Sequence, residues 1–115
     1  MNLETMTLQE IWQVINRKAS EKSEVFQDLE ATFAFNITGD DGGDYRLSIQ
    51  NGEAKVMEGN IEGADCTLSM NFKNFKKLLQ GNLNATTAFM TGRLKVKGNI
   101  SLALKLENLL KKFSI

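Results

Sequence analysis

The chain has 115 residues, 42% hydrophobic and 24% charged, which is typical of a single globular domain over residues 1–115. Equal numbers of basic and acidic residues give a formal net charge of zero, so no nucleic-acid partner is expected. The absence of histidine and the single cysteine, Cys66, remove the commonest general base and exclude an internal disulfide.

An amphipathic helix is predicted near the start of the chain. Thr7 and Glu10 have the spacing of a capping box. Apolar residues then recur every three or four positions up to about residue 20, at Leu8, Ile11, Trp12, Ile15 and Ala19. After this helix, Val25, Phe26 and Leu29 predict a short helical turn that leads into a sheet.

Three strands in a meander are predicted next. Ala31–Thr38 and Asp44–Gln50 alternate apolar and polar residues. Asn51-Gly52 then predicts a two-residue type I′ hairpin, which pairs Gln50 with Glu53, Ile49 with Ala54, Ser48 with Lys55 and Leu47 with Val56. Between the first two strands, Asp40, Asp41 and Asp44 lie among glycines. We interpret them as a hairpin turn rather than a calcium loop, because their spacing does not match an EF-hand.

The second half of the chain predicts a fourth strand, two helices, a fifth strand and a last helix. In the strand over residues 64–70, Cys66 shares a face with Leu68 and Met70 and is interpreted as a buried structural thiol. Asn71 caps the next helix, which Gly81 ends, and Asn84 caps a short helix through Thr91. Arg93–Lys97 alternate as the fifth strand, and Asn99 caps the last helix.

The last helix has an unusually large apolar surface. One arc contains Leu102, Ala103, Leu106, Leu109, Leu110 and Phe113, and a second line contains Ile100 and Leu104. Such a helix must be covered on more than one side, by protein alone or by protein together with an apolar ligand. The order of elements predicts an α+β fold with a mixed, mostly antiparallel sheet and helices on one face, and permits a parallel pair of strands four and five.

The segment from Ala88 to Leu110 resembles the closing segment of the sterol carrier protein type 2 domain, a family of small lipid-binding proteins. The family pattern is Ala-Phe-Met-x-Gly-Lys-Leu-Lys-x-x-Gly, then an acidic residue and Leu-Ala-x-x-Leu. Residues 88–98 follow it, as do Leu102, Ala103 and Leu106. Arg93 replaces a lysine and Asn99 replaces the acidic cap, with the same physical roles. Weaker similarity extends back to about Ala31.

The resemblance implies a five-stranded sheet in spatial order 3-2-1-4-5 and a hydrophobic tunnel between sheet and helices. The tunnel would hold a fatty acid, acyl-CoA, phospholipid or sterol. The residues expected to line it, and so to bind lipid, are Phe33, Phe35, Leu47, Ile49, Leu68, Met70, Phe75, Leu79, Phe89, Met90, Leu102, Leu106 and Leu110. Trp12 is either an anchor of the core or a further lipid contact, and Met70 and Met90 either fill gaps in a closed core or adapt to ligand.

The expected function is non-catalytic, intracellular lipid binding and transfer, with no catalytic residue, metal or cofactor. The alternative is an accessory interaction module that stabilises or presents lipid substrate to a separate enzyme. Expected partners are a lipid ligand, a membrane surface in transient contact and a partner enzyme, and the expected location is the cytoplasm. Arg93, Lys95 and Lys97 share one side of strand five. They either meet anionic membrane or protect an edge strand from pairing with other chains.

Overall fold

The computed structural model describes residues 5–21, 24, 27, 29–39, 42–59 and 62–113, with the backbone only for residues 112 and 113. Val25, Phe26, Asp40 and Asp41 lie outside the described residues, as does the side chain of Phe113. The helices and strands, in chain order, are α1 (Leu8–Glu21), β1 (Ala31–Thr38), β2 (Gly43–Gln50), β3 (Glu53–Glu58), β4 (Cys66–Asn71), α2 (Phe72–Leu79), α3 (Ala85–Met90), β5 (Lys95–Gly98) and α4 (Ile100–Phe113).

The five strands form one mixed sheet in the order β3-β2-β1-β4-β5, which confirms the predicted fold class and strand order. The β2–β3 register is the one that the Asn51-Gly52 turn predicts, with Gln50 opposite Glu53 and Leu47 opposite Val56. Asn51 and Gly52 have φ angles of 53° and 78°, as a type I′ turn requires. A local turn therefore fixes the register of one of the four strand pairs in the sheet.

The permitted parallel pairing of β4 with β5 is wrong. β5 runs antiparallel to β4, with Ser69 opposite Lys95, and the parallel pair is β1 with β4. Two helices, α2 and α3, connect β4 to β5. α3 returns the chain to the end of the sheet where β4 finishes. β5 therefore starts at that end and runs in the opposite direction to β4.

β5 begins two residues later than predicted, because the backbone amides of Arg93 and Leu94 form hydrogen bonds outside the sheet. Both amides donate to the carbonyl of Ala88, at 2.9 and 3.1 Å, so the strand begins at Lys95. At its other end Gly98 has a φ of 93°, and an added Cβ would lie 2.6 Å from the Asp65 carbonyl oxygen. A side chain at this position would therefore clash with the loop before β4.

Side chains cap four of the described helices as predicted. The Thr7 amide donates to Glu10 Oε1 at 3.0 Å, and the Glu10 amide donates to Thr7 Oγ1 at 3.2 Å. The Thr7 backbone amide, and then the Thr7 side chain, hydrogen-bond the Glu10 carboxylate and hold the pKa of Glu10 below its usual value. The side-chain oxygens of Asn71, Asn84 and Asn99 accept from the amides that follow, at 2.8, 3.0 and 3.1 Å. Each cap satisfies an amide that the helix itself leaves unpaired.

The helices cover one face of the sheet and leave the other to polar residues. Inward residues of β1, such as Phe33 and Phe35, are at most 2% exposed, whereas the opposite face carries side chains such as Asn36 and Ser69. Between β1 and β2, Asp44 Oδ1 accepts from the Asn36 side-chain amide at 2.7 Å. The antiparallel pairing of these strands confirms the hairpin. Within the described residues no three acidic or thiol side chains form a metal cluster.

Candidate functional site

Ten of the thirteen residues predicted to line a tunnel lie together in the apolar core between sheet and helices. None of the ten is more than 6% exposed. The sheet contributes six of them and the helices four, as two facing layers. The sheet layer is Phe33, Phe35, Leu47, Ile49, Leu68 and Met70, and the helix layer is Phe75, Leu79, Leu106 and Leu110. These side chains form one continuous apolar interface.

The other three residues lie differently. Leu102 is half-buried and packs against the edge of the core. The inward placement expected for Phe89 and Met90 is wrong, since they are 42% and 79% exposed. α3 has only six residues and turns Ala85 and Ala88 to the core, so its two large apolar side chains lie on the outer surface. Their role in lipid binding within the core is therefore not supported by their position.

An aromatic cluster joins α1 to this interface. The ring of Trp12 stacks on Tyr45 and on Phe75, with centroids 5.0 and 5.3 Å apart, and meets Phe35 edge-on at 5.1 Å. Trp12 is 3% exposed, and its Nε1 is a buried donor with no hydrogen-bond partner. The apolar periodicity of α1 predicted the burial of Trp12, but nothing in the sequence indicated an unpaired donor inside the core.

Tyr45 has a polar contact at the rim of the same cluster. Its hydroxyl donates to Glu58 Oε2 at 3.2 Å. Burial, followed by the hydrogen bond and charge of Glu58, raises the pKa of Tyr45 above its usual value. Tyr45 therefore stays neutral well into the alkaline range and serves as a hydrogen-bond donor on the β3 side of the core.

The thiol of Cys66 is buried as predicted. Its side chain is 0% exposed and follows the inward alternation of β4 with Leu68 and Met70. Burial, and then the charge of Asp65, raise the pKa of Cys66 to about 11. A thiol with this pKa is almost entirely protonated near neutral pH and is a poor nucleophile.

The second apolar line of α4 is not covered by the described chain. Ile100 and Leu104 are 49% and 40% exposed. They lie one turn apart on α4, which contacts α3, the helix that carries the exposed Phe89 and Met90. We call these four exposed residues of the two contacting helices the outer apolar face. Lys105 is the next residue along α4 and is exposed.

The described chain thus forms a two-layer α+β domain with a large apolar interface between a mixed sheet and amphipathic helices. No helix among the described residues is both long and apolar enough to cross a membrane. This architecture is that of a class of small domains with a single sheet and a continuous apolar interior between the sheet and the helices.

The comparisons with known proteins identify the family. The family model described as the SCP-2 sterol transfer family matches residues 11–111 of this chain. Hydroxysteroid dehydrogenase-like protein 2 of Rattus norvegicus is 42% identical over 94 residues, which are 81% of this chain and 18% of the relative. Sterol carrier protein 2 of Homo sapiens is 34% identical over 103 residues, which are 86% of this chain and 19% of the relative.

The fold agrees with a solved structure of the same kind. Sterol carrier protein 2 from Yarrowia lipolytica has a TM-score of 0.74 and 30% identity, covering 90% of this chain and 89% of the other. The chain therefore belongs to the SCP-2 sterol transfer family. It spans about a fifth of the length of the curated relatives that it matches.

Proposed function

We propose that residues 1–115 form one domain that binds a long-chain lipid, without catalysis, between the sheet and the helices. The observation that carries this proposal is the pair of facing apolar layers, in a chain of the SCP-2 sterol transfer family. In this proposal the lipid chain enters between the layers and separates Leu106 and Leu110 of α4 from Leu68 and Met70 of β4. The tunnel expected from the resemblance forms as these side chains move apart.

The energetics of such binding are adequate without a specific head group. A chain of roughly 15 methylenes gains about 12 kcal/mol at about 0.8 kcal/mol for each buried CH₂. Association costs on the order of 4–15 kcal/mol, so a dissociation constant in the micromolar range is expected. Because apolar burial supplies the affinity, fatty acids, acyl-CoAs, phospholipids and sterols of suitable length are all candidate ligands.

Three features support binding without chemistry. The sequence has no histidine, and Cys66, with a pKa of about 11, is a buried, protonated thiol. Glu10, whose pKa is lowered, is engaged by the Thr7 cap at the surface. A single cysteine, buried as a free thiol, is compatible with a reducing compartment, and we propose the cytoplasm.

The direct test is to look for lipid in the purified protein. Native mass spectrometry followed by solvent extraction identifies any lipid that copurifies. The protein is then delipidated, shown to be folded by circular dichroism, and titrated with a fluorescent fatty acid. Saturable binding at micromolar concentrations is the expected result. A folded, delipidated protein with no saturable binding at tens of micromolar contradicts the proposal.

The outer apolar face supports transient contact with a membrane during lipid exchange. Phe89, Met90, Ile100 and Leu104 are exposed apolar side chains, and the exposed Lys105, which follows Leu104 on α4, suits an anionic surface. The double variant Ile100→Ser, Leu104→Ser should slow transfer of a fluorescent lipid to anionic vesicles while leaving its affinity unchanged. Met57→Ser is the control, because Met57 is 64% exposed but lies on β3, at the other edge of the sheet. Equal slowing by both variants would exclude a specific docking face.

A second function is an accessory module that presents lipid to a partner enzyme. The observation in its favour is that the matched region forms about a fifth of larger proteins, among them one named as dehydrogenase-like. Native mass spectrometry of the purified protein separates the two functions. A lipid-laden monomer favours binding and transfer, whereas lipid-free protein in a stoichiometric complex with an enzyme favours the accessory role.

A further inference from the structure

A polar cleft lies apart from most of the apolar core, where the parallel strands β1 and β4 end. Its volume is about 520 Å³, within the usual range for small-molecule sites. Asn36, Thr38 and Ser69 line it from the polar face of the sheet, and Asn71 and Asn74 line it from the start of α2. Met70 is the apolar residue of the lining and is also part of the core.

Asn74 gives this cleft a largely buried polar residue, which an ordinary surface depression lacks. It is 7% exposed and is the one buried polar residue in the described part of the chain. Its backbone amide donates to the Asn71 cap, whereas its side-chain amide forms no hydrogen bond with another described residue. Trp12 Nε1 is the one fully buried side-chain polar atom without a partner among the described residues, so the Asn74 amide keeps access to the cleft and can donate to a group that enters it.

Two cations line the same cleft, and one of them is held in place. Arg93 Nε donates to Thr91 Oγ1 at 3.1 Å, and that hydroxyl donates to the Thr87 carbonyl at 2.9 Å. This hydrogen bond orients the exposed guanidinium, and its terminal nitrogens remain available to donate to a ligand. Lys95 lies opposite Ser69 on β5. Neither cation forms an ion pair with an acidic residue in the described part of the chain.

The remaining electrostatics favour an anion. The described lining includes no acidic side chain. The nearest acidic neighbour in the same row of the sheet is Asp44, which already accepts from the Asn36 amide. α2 begins at the cleft, and the amino end of a helix has a partial positive charge.

We propose that this cleft binds a phosphate group. Arg93 and Lys95 would neutralise its two negative charges, and the Asn74 side-chain amide would donate to a third oxygen. Two cations match a phosphate dianion better than they match a monoanion such as a carboxylate. The phosphate could belong to a phospholipid head group, whose chain would pass Met70 into the core, or to a soluble phosphate ester. The site stands whether or not the core takes up lipid.

The test is an NMR titration of the folded chain with inorganic phosphate, with chloride at matched ionic strength as the reference. Amide shifts should centre on residues 71–74 and 92–95 and saturate. Arg93→Gln, Lys95→Gln and Asn74→Asp should each weaken phosphate binding by about tenfold, as expected for loss of one charge-assisted hydrogen bond. Asn74→Asp keeps the size of the side chain and adds a repelling charge.

Lys97→Gln is the matched control. Lys97 lies on the same strand and the same face as Lys95, opposite Thr67, and does not line the cleft. Unchanged binding in this variant supports the site. An equal loss in Lys97→Gln and Lys95→Gln, or shifts scattered over the surface, would overturn the proposal in favour of general charge attraction.

Two further ligands identify the source of the phosphate. Dihexanoyl phosphatidic acid should bind more tightly than glycerol 3-phosphate if the cleft takes a lipid head group, and equally if it takes a soluble ester. Both outcomes support the site, whereas binding of neither ester contradicts it. Fluorescent fatty-acid binding by the same samples reports on the core separately, so failure of one site is distinguishable from failure of the other.

Discussion

Trp12 of α1 and Tyr45 of β2 stack with ring centroids 5.0 Å apart and planes inclined by 22°. This contact joins the first helix to the sheet at a point where the indole N–H is buried and unpaired. The stacking is favourable, but the unpaired donor costs roughly 1–3 kcal/mol. Trp12 therefore contributes less to stability than its size suggests.

The first prediction follows from this balance. Trp12→Phe keeps an aromatic ring between Tyr45 and Phe75 and removes the unpaired donor. We expect it to lower the free energy of unfolding by less than about 1.5 kcal/mol. Trp12→Ala should cost about 3–5 kcal/mol. Urea denaturation followed by circular dichroism measures both variants. A Phe variant as damaged as the Ala variant would show that the N–H has a stabilising partner.

The second prediction concerns Cys66 and pH. The folded-state pKa of Cys66 is about 11, against an ordinary value of 9.0, so between these values the unfolded chain binds fewer protons than the folded one. Stability from Cys66 is therefore present below pH 9 and lost as pH rises towards 11, by about 2–3 kcal/mol in total. Tyr45, whose pKa is also raised, adds a loss of the same sign at higher pH.

The measurement is unfolding by urea at pH 8, 9, 10 and 11 for wild type and for Cys66→Ala. The variant loses some burial at every pH, but its stability should fall less steeply above pH 9. Reaction with a thiol reagent gives an independent check, since native Cys66 should react slowly and the urea-unfolded chain quickly. Parallel pH profiles for the two proteins would contradict the raised pKa.

A third prediction concerns the link between α3 and α4. The backbone amide of Ala85, in the first turn of α3, donates to Glu107 Oε2 of α4 at 2.6 Å. Glu107→Ala should cost about 1.5 kcal/mol or more, because it leaves this amide without its charged acceptor. Asn108→Ala, the exposed next residue on α4, is the control and should change stability by less than about 0.5 kcal/mol. Thermal unfolding measures the stability of both variants. Equal losses of stability in the two would exclude a specific link between Glu107 and α3.

Local chemistry explains which parts of the fold were predictable. The Asn51-Gly52 turn requires two positive φ angles, and its length sets the pairing of β2 with β3, so the register followed from two residues. The caps at Thr7, Asn71 and Asn84 depend on side chains three residues from the amides that they accept from. The burial of Cys66 with Leu68 and Met70 follows from strand alternation. Each of these features is decided within one short segment.

The features that were missed depend on distant segments. The direction of β5 depends on how α2 and α3 together return the chain, which periodicity does not record. The inner face of α3 was misjudged because six residues are too few to define a stripe, and Phe89 and Met90 look like core residues by type. The polar cleft is lined from β1, β4, α2 and the segment after α3. No single motif could therefore indicate that Asn74, Arg93 and Lys95 meet there.

The last prediction tests whether lipid occupies the interface between α4 and the sheet. Leu106 is 1% exposed in the core, so Leu106→Ala should lower the unfolding free energy of delipidated protein by about 2–5 kcal/mol, through lost burial and the cavity left behind. A lipid chain that enters between the layers fills part of that cavity. Saturating lipid should therefore restore more stability in this variant than it adds to the wild type. Leu104→Ala, on the outer side of the same helix, is the control and should show the wild-type increment. Thermal unfolding with and without fatty acid measures all three proteins. Equal increments in Leu106→Ala and wild type would place the bound lipid away from α4, since a ligand that does not contact the cavity cannot compensate for it.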